Sequence, residues 1–123
     1  MRRIGSLLLA ATLLVSCKDS SGPEAKSGND FEITVSAGTR PTYTWPGGAA
    51  HSISVMRTSA PGTIVWGVAQ PVLTVLTSPF LHGSVPAGAL ETVDDERTLT
   101  AGVSYRVSVT RQDQKQSYKD FTP

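Results

Sequence analysis

Leu99-Thr100-Ala101-Gly102-Val103-Ser104-Tyr105-Arg106-Val107-Ser108-Val109 decides how this chain folds. Val103, Tyr105, Val107 and Val109 are apolar, and Ser104, Arg106 and Ser108 between them are polar. A period of two places one set on a core and the other towards solvent, which defines a half-buried β-strand. Gly102, just before the alternation, suits a tight turn that a side chain would obstruct.

The same period runs outward from this stretch. Phe31, Ile33 and Val35 alternate with Glu32, Thr34 and Ser36, predicting a strand over 31–35. Tyr43 and Trp45 share a face over 42–45, and Pro46-Gly47-Gly48 ends that run. Ile53 and Val55 mark a strand over 52–57. Ile64, Trp66 and Val68 give the next inward face. The segment 72–77 is apolar on both faces, as in a central strand, and 80–85 is a shorter candidate. Residues 86–96 read as an acidic loop, and 117–121 as a last strand after a polar turn at 112–116. Seven to eight short strands at regular spacing, with no helical period after residue 30, predict an all-β sandwich.

The motif at 99–109 resembles the signature of fibronectin type III domains, a family of Ig-like β-sandwiches. Leu99 lies six residues before Tyr105 and Gly102 three before it. The resemblance implies a tyrosine corner, in which the Tyr105 ring is buried and its hydroxyl bonds backbone a few residues upstream. It also assigns Trp45 as a core tryptophan. Leu99, Gly102, Tyr105 and Trp45 are thus expected to be structural. Another Ig-like sandwich or a transthyretin-like one is the alternative.

The amino-terminal part has a different composition. Met1-Arg2-Arg3 precedes an uncharged run from 4 to 15. That run is shorter than the ~20 apolar residues a spanning helix needs, and its basic-then-apolar order is that of an export signal. Leu14-Val15-Ser16-Cys17 closes it and resembles a bacterial lipobox. The resemblance implies that the Cys17 thiol takes a diacylglycerol as a thioether. Cleavage then falls between Ser16 and Cys17, and the new amino group is acylated, commonly with palmitate. An ordinary cleavage site prefers small residues at −3 and −1, and Leu14 is a poor −3 residue. Two or three chains on one residue anchor it stably, whereas a single chain binds marginally.

The organisation expected is a lipoprotein signal peptide at 1–16, a lipidated cysteine and flexible linker at 17–30, and a fibronectin type III-like sandwich at 31–123. Lys18 to Asp30 is polar, rich in Gly and Ser, and free of aromatic and β-branched residues, so it has little to bury. As a coil it reaches ~20 Å. Lys18, rather than an acid, follows Cys17 and favours the outer over the inner membrane.

Composition narrows function by exclusion. Over the 123 residues the formal net charge is +1. Losing Arg2 and Arg3 with the signal leaves nine basic against ten acidic residues, which is no footprint for nucleic acid. One cysteine excludes an internal disulfide, and with two histidines it argues against a zinc site. His51 and His82 lack neighbours at ligand spacing and read as exposed or partly packed. Glu91, Asp94, Asp95 and Glu96 could offer oxygens to Ca²⁺, but no loop spacing supports this, and a solvated acidic loop is expected. No Gly-x-Ser-x-Gly is present, and Cys17 is committed to lipid, so no catalytic residue, metal or cofactor is expected beyond the covalent lipid.

These features predict a membrane-anchored cell-envelope lipoprotein whose domain is a non-enzymatic binding or structural module for another envelope protein. A glycan-binding module is the alternative, with Trp66 and Phe80 as its possible surface. A small enzyme is a remote third.

Overall fold

The computed structural model describes residues 29–70, 72 and 74–123. The expected signal peptide, with Ser16 and Cys17, and the expected linker up to residue 28 lie outside the described residues. All the described secondary structure is β. In chain order the strands are β1 (Thr34–Val35), β2 (Thr42–Thr44), β3 (Ala50–Arg57), β4 (Ile64–Ala69), β5 (Phe80–Leu81), β6 (Leu90–Val93), β7 (Tyr105–Arg111) and β8 (Gln116–Phe121). They form two antiparallel sheets, β1-β2-β5 and β6-β4-β3-β7-β8. The chain is an all-β protein of the sandwich class.

The period of two in β7 becomes its burial pattern. Tyr105, Val107, Val109 and Arg111 are buried, and Arg106, Ser108 and Thr110 are half-buried. Pairing then builds core rows across the larger sheet. Val68, Ile53 and Val109 are successive partners, and Trp66, Val55 and Val107 form the next row. Ile33, Tyr43 and Phe80 face them from the smaller sheet's part of the chain, with Trp45 and Leu76 completing the cluster from connecting segments. Burying each such aliphatic side chain contributes roughly 1.5–3 kcal/mol. Phe121, at the end of β8, stacks on Tyr105 at 5.9 Å and meets Tyr43 edge-on at 6.0 Å, joining the two sheets.

Several elements differ from the sequence reading. The strand expected over 31–35 narrows to Thr34–Val35, although Ile33 is still buried. Trp45 lies one residue beyond β2. β4 is buried on both faces, because the Thr92 side chain covers Gly67 from the outside. The described residues of the strand expected over 72–77, namely 72 and 74–77, belong to none of the strands β1–β8. Leu76 is buried and bridges Ala50, whereas Val72 is 80% exposed. The 80–85 strand stops at Leu81, where Ser84 N–H donates to the Leu81 carbonyl and closes a turn. The expected loop at 86–96 contains β6, which pairs with the edge of β4. Val103 belongs to the turn before β7. Asn29 bridges Ser117 on β8.

Candidate functional site

The densest polar cluster lies where β3 ends and β7 begins. Arg57 and Tyr105 are direct partners in the ladder. Glu96 is brought beside them by its own N–H, which donates to the Val65 carbonyl at 2.8 Å. Its carboxylate then accepts from both: Arg57 Nε to Oε2 at 2.8 Å and the Tyr105 hydroxyl to Oε1 at 2.7 Å. The same hydroxyl accepts from the Thr100 N–H at 2.8 Å, five residues upstream. Partial burial pushes the Glu96 carboxyl up, but the bonds from Arg57 and Tyr105 outweigh it and hold it below its usual range. The turn before Tyr105 uses Gly102 at a φ of +84°, and its N–H donates to the Pro123 carbonyl at 3.0 Å. Leu99 is buried, with its N–H on the Thr39 carbonyl at 2.9 Å.

His82 extends the cluster into the core. It is fully buried, which corrects the expectation of an exposed or partly packed histidine. Nε2 lies 2.8 Å from the Glu96 backbone carbonyl. A carbonyl only accepts, so Nε2 carries the proton and Nδ1 accepts from the Tyr43 hydroxyl at 2.8 Å. The Trp66 ring packs 4.5 Å from the imidazole, and the Arg40 guanidinium donates to the His82 carbonyl. Desolvation lowers the His82 pKa and keeps the ring neutral. Burial pushes the Tyr43 phenol well above its usual range. Tyr43 belongs to the smaller sheet and Tyr105 to the larger, so this chain of bonds ties the sheets through polar groups. Tyr43, His82 and Tyr105 are fully buried and present nothing to a substrate.

The acidic segment divides in two. Glu91 turns towards the core edge, accepting from Trp66 Nε1 at 2.9 Å and pairing with the Arg97 guanidinium, which holds its carboxyl below the usual range. Glu96 is engaged as above, while Asp94 and Asp95 are exposed. The expected solvated acidic loop is thus corrected for its two glutamates, which are half-buried and paired. Among the described residues, no group of three His, Cys, Asp or Glu side chains gathers to hold a metal ion. His51 is half-buried on β3.

Trp66 and Phe80, the aromatics offered as a ligand surface, are core residues at 0% and 4% exposure. This corrects that assignment. The Trp66 indole is satisfied internally by Glu91, so its polar edge needs no ligand. Trp45 is likewise buried, with Nε1 donating to the Gly48 carbonyl at 2.8 Å. Tyr118 is the exposed aromatic, lying under the Arg106 guanidinium at 4.2 Å. The apolar surface is aliphatic instead. Leu81 and Val85 are exposed at the β5 edge, and Leu90 and Val72 at the opposite end of the molecule's long strands. Sequence reasoning did not find Tyr43, Arg40 or the inward role of His82. The Tyr43–His82 pair is separated by 39 residues, and only folding unites it.

Searches with protein-family models, among curated proteins and among solved structures found no match to this chain.

Proposed function

We propose that this chain is a lipid-anchored module of the bacterial cell envelope, outer membrane rather than inner, whose sandwich engages another envelope protein without catalysis. Leu14-Val15-Ser16-Cys17 carries the reading: it combines an export signal with a thiol placed for diacylglycerol transfer. The fibronectin type III-like reading of the domain is supported by strand order. β1-β2-β5 corresponds to strands A, B and E of an Ig-like sandwich, and β4-β3-β7-β8 to C′, C, F and G. The Tyr105 bond to Thr100 N–H fits the corner expected on strand F.

The edge strand β5 is the surface we assign to the partner. It pairs with β2 on one side, and Leu81 and Val85 are exposed beside it. An unpaired edge flanked by aliphatic side chains suits strand addition by a partner chain. The glycan alternative requires at least two exposed aromatics on one face; with Trp66 and Phe80 buried, Tyr118 alone is exposed among the described aromatics, so that reading has less support.

In-cell photocrosslinking of the tagged, full-length protein tests the assignment. A crosslinker at Leu81 should capture one dominant envelope protein that the same group at Asp95 does not. Equal capture at both sites, or none at normal expression, overturns the β5 assignment. An intact mass lacking acyl chains on Cys17 overturns the anchor.

A further inference from the structure

One row of backbone partners crosses the whole larger sheet. Leu90 pairs with Ala69, Ala69 with Ser52, Ser52 with Thr110, and Thr110 with Gln116. Asp30 extends the row by one position: its N–H donates to the Gln116 carbonyl at 2.9 Å, and its carboxylate accepts from the Gln116 N–H at 3.0 Å. Five strand spacings of ~4.8 Å place Leu90 about 24 Å from Asp30 along this end of the sandwich. Asn29, which bridges Ser117, lies at this same end. Cys17 lies twelve residues before Asn29.

The two most exposed large aliphatic residues also lie at this end. Leu90 is 67% exposed at the start of β6, and Val72 is 80% exposed just past the end of β4. Val72 is held there by two successive bonds. Gln70 N–H donates to the His51 carbonyl at 2.9 Å, and Val72 N–H donates to the Gln70 side-chain oxygen at 2.9 Å. Ala50 N–H donates to the Leu76 carbonyl. Arg111 and Asp113 pair with each other at this end, beside Asp30 and Lys115, leaving no excess of acid. The exposed Asp94 and Asp95 follow the far end of β6.

We propose that the Asp30–Leu90 end of the sandwich is a membrane-docking surface, on which Val72 and Leu90 enter the lipid interface. The inference rests on the lipid anchor at Cys17. A tether with a reach of ~20 Å holds this end next to the bilayer and gives it an effective concentration on the order of millimolar. At that concentration two aliphatic side chains suffice for docking that they could not achieve from free solution. The same orientation turns Asp94, with Arg97 beside it at 4.0 Å, and Asp95 away from the lipid. It also leaves the β5 edge near Leu81 pointing outward, because Leu81 pairs with Thr42 at the start of β2, the end remote from Trp45 and Pro46.

The test uses the full-length mature lipoprotein in vesicles of phosphatidylethanolamine and phosphatidylglycerol. Lipidation blocks Cys17, so Leu90→Cys, Val72→Cys and Asp95→Cys each offer one thiol for an environment-sensitive fluorophore. The expected result is a blue-shifted emission at positions 90 and 72 that spin-labelled lipids quench. The probe at position 95 should keep its aqueous emission and escape quenching. Equal quenching at 90 and 95, or an aqueous emission at both 72 and 90, overturns the orientation. A blue shift without quenching by lipid identifies a second copy or a protein as the occupant, and overturns it too. Intact mass of the same samples reports the acyl chains on Cys17. A chain without them removes the anchor and this inference together, whereas an acylated chain with probes in water removes only the docking.

Discussion

The Tyr105 hydroxyl lies 2.7 Å from Glu96 Oε1 while accepting the Thr100 N–H at 2.8 Å. One oxygen thereby joins β7, the turn preceding it and the segment that follows β6. Arg57 closes the arrangement from β3 through the other carboxylate oxygen. The backbone bond is the local part of a corner motif. The carboxylate contact couples that corner to an edge strand added to the sheet.

Tyr105→Phe keeps the ring in place and removes the hydroxyl. It leaves the Thr100 N–H without this acceptor and takes one donor from Glu96. The expected loss is about 1–3 kcal/mol, or roughly 4–8 °C in Tm for each kcal/mol in a domain of this size. Urea and thermal melts of the two proteins measure it, and superimposable curves would contradict the role assigned to the hydroxyl.

Gly47 and Gly48 form a matched pair for testing close approach. Both have positive φ, +93° and +113°. A Cβ on Gly47 would lie 2.1 Å from Arg111 Nη1, the atom that donates to the Pro46 carbonyl at 2.8 Å; a Cβ on Gly48 meets nothing within 4 Å. Gly48→Ala should therefore cost only the backbone penalty, roughly 1–2 kcal/mol. Gly47→Ala should cost that and the Arg111 contact as well. Chemical denaturation ranks the two, and equal midpoints would show that Arg111 moves aside freely.

The strands legible in sequence are those whose alternation is uninterrupted and whose partners flank them on both sides. β7 and β3 are of this kind, and their inward residues are the ones the period selects. β6 was hidden because its pattern is inverted. Leu90 points to solvent at the sheet edge, and Glu91 turns inward because the Trp66 indole and Arg97 satisfy its charge. A hydropathy period cannot see a carboxylate that a distant N–H makes acceptable. The segment 72–77 misled for the opposite reason: among its described residues Leu76 is a buried anchor bridging Ala50, and apolar character there reflects that anchor rather than a strand. The polar network was illegible for want of any local signal. Its Tyr43, His82 and Glu96 come from three separate parts of the chain.

Cys17→Ala removes the sulfur nucleophile from the proposed anchor. The expected outcome is an uncleaved precursor that leaves the normal membrane fraction, read by gel mobility, radiolabelled palmitate incorporation and flotation. Full processing and unchanged fractionation of the variant would refute the lipobox reading.

His82 gives the fold a pH dependence whose direction follows from its burial. Desolvation lowers its folded pKa below the ~6.5 of an unfolded chain. Between those two values the unfolded chain binds more protons than the folded one, so stability rises with pH there. The contribution is complete above about pH 6.5 and is lost as the pH falls through the folded value. Protonation would place a second N–H on Nδ1, where the Tyr43 hydroxyl now donates, and a charge beside the Trp66 ring. Glu96, held below its normal range, loses its stabilising ionised form only at lower pH, so the two transitions separate. Melting temperature measured from pH 7.5 downward should begin to fall near pH 6.5 in the wild type. His82→Gln should be less stable at neutral pH, because it replaces the imidazole bridge between Tyr43 and Glu96, yet flat over the window where the histidine titrates. Parallel slopes in the two proteins would assign the acid sensitivity to another group.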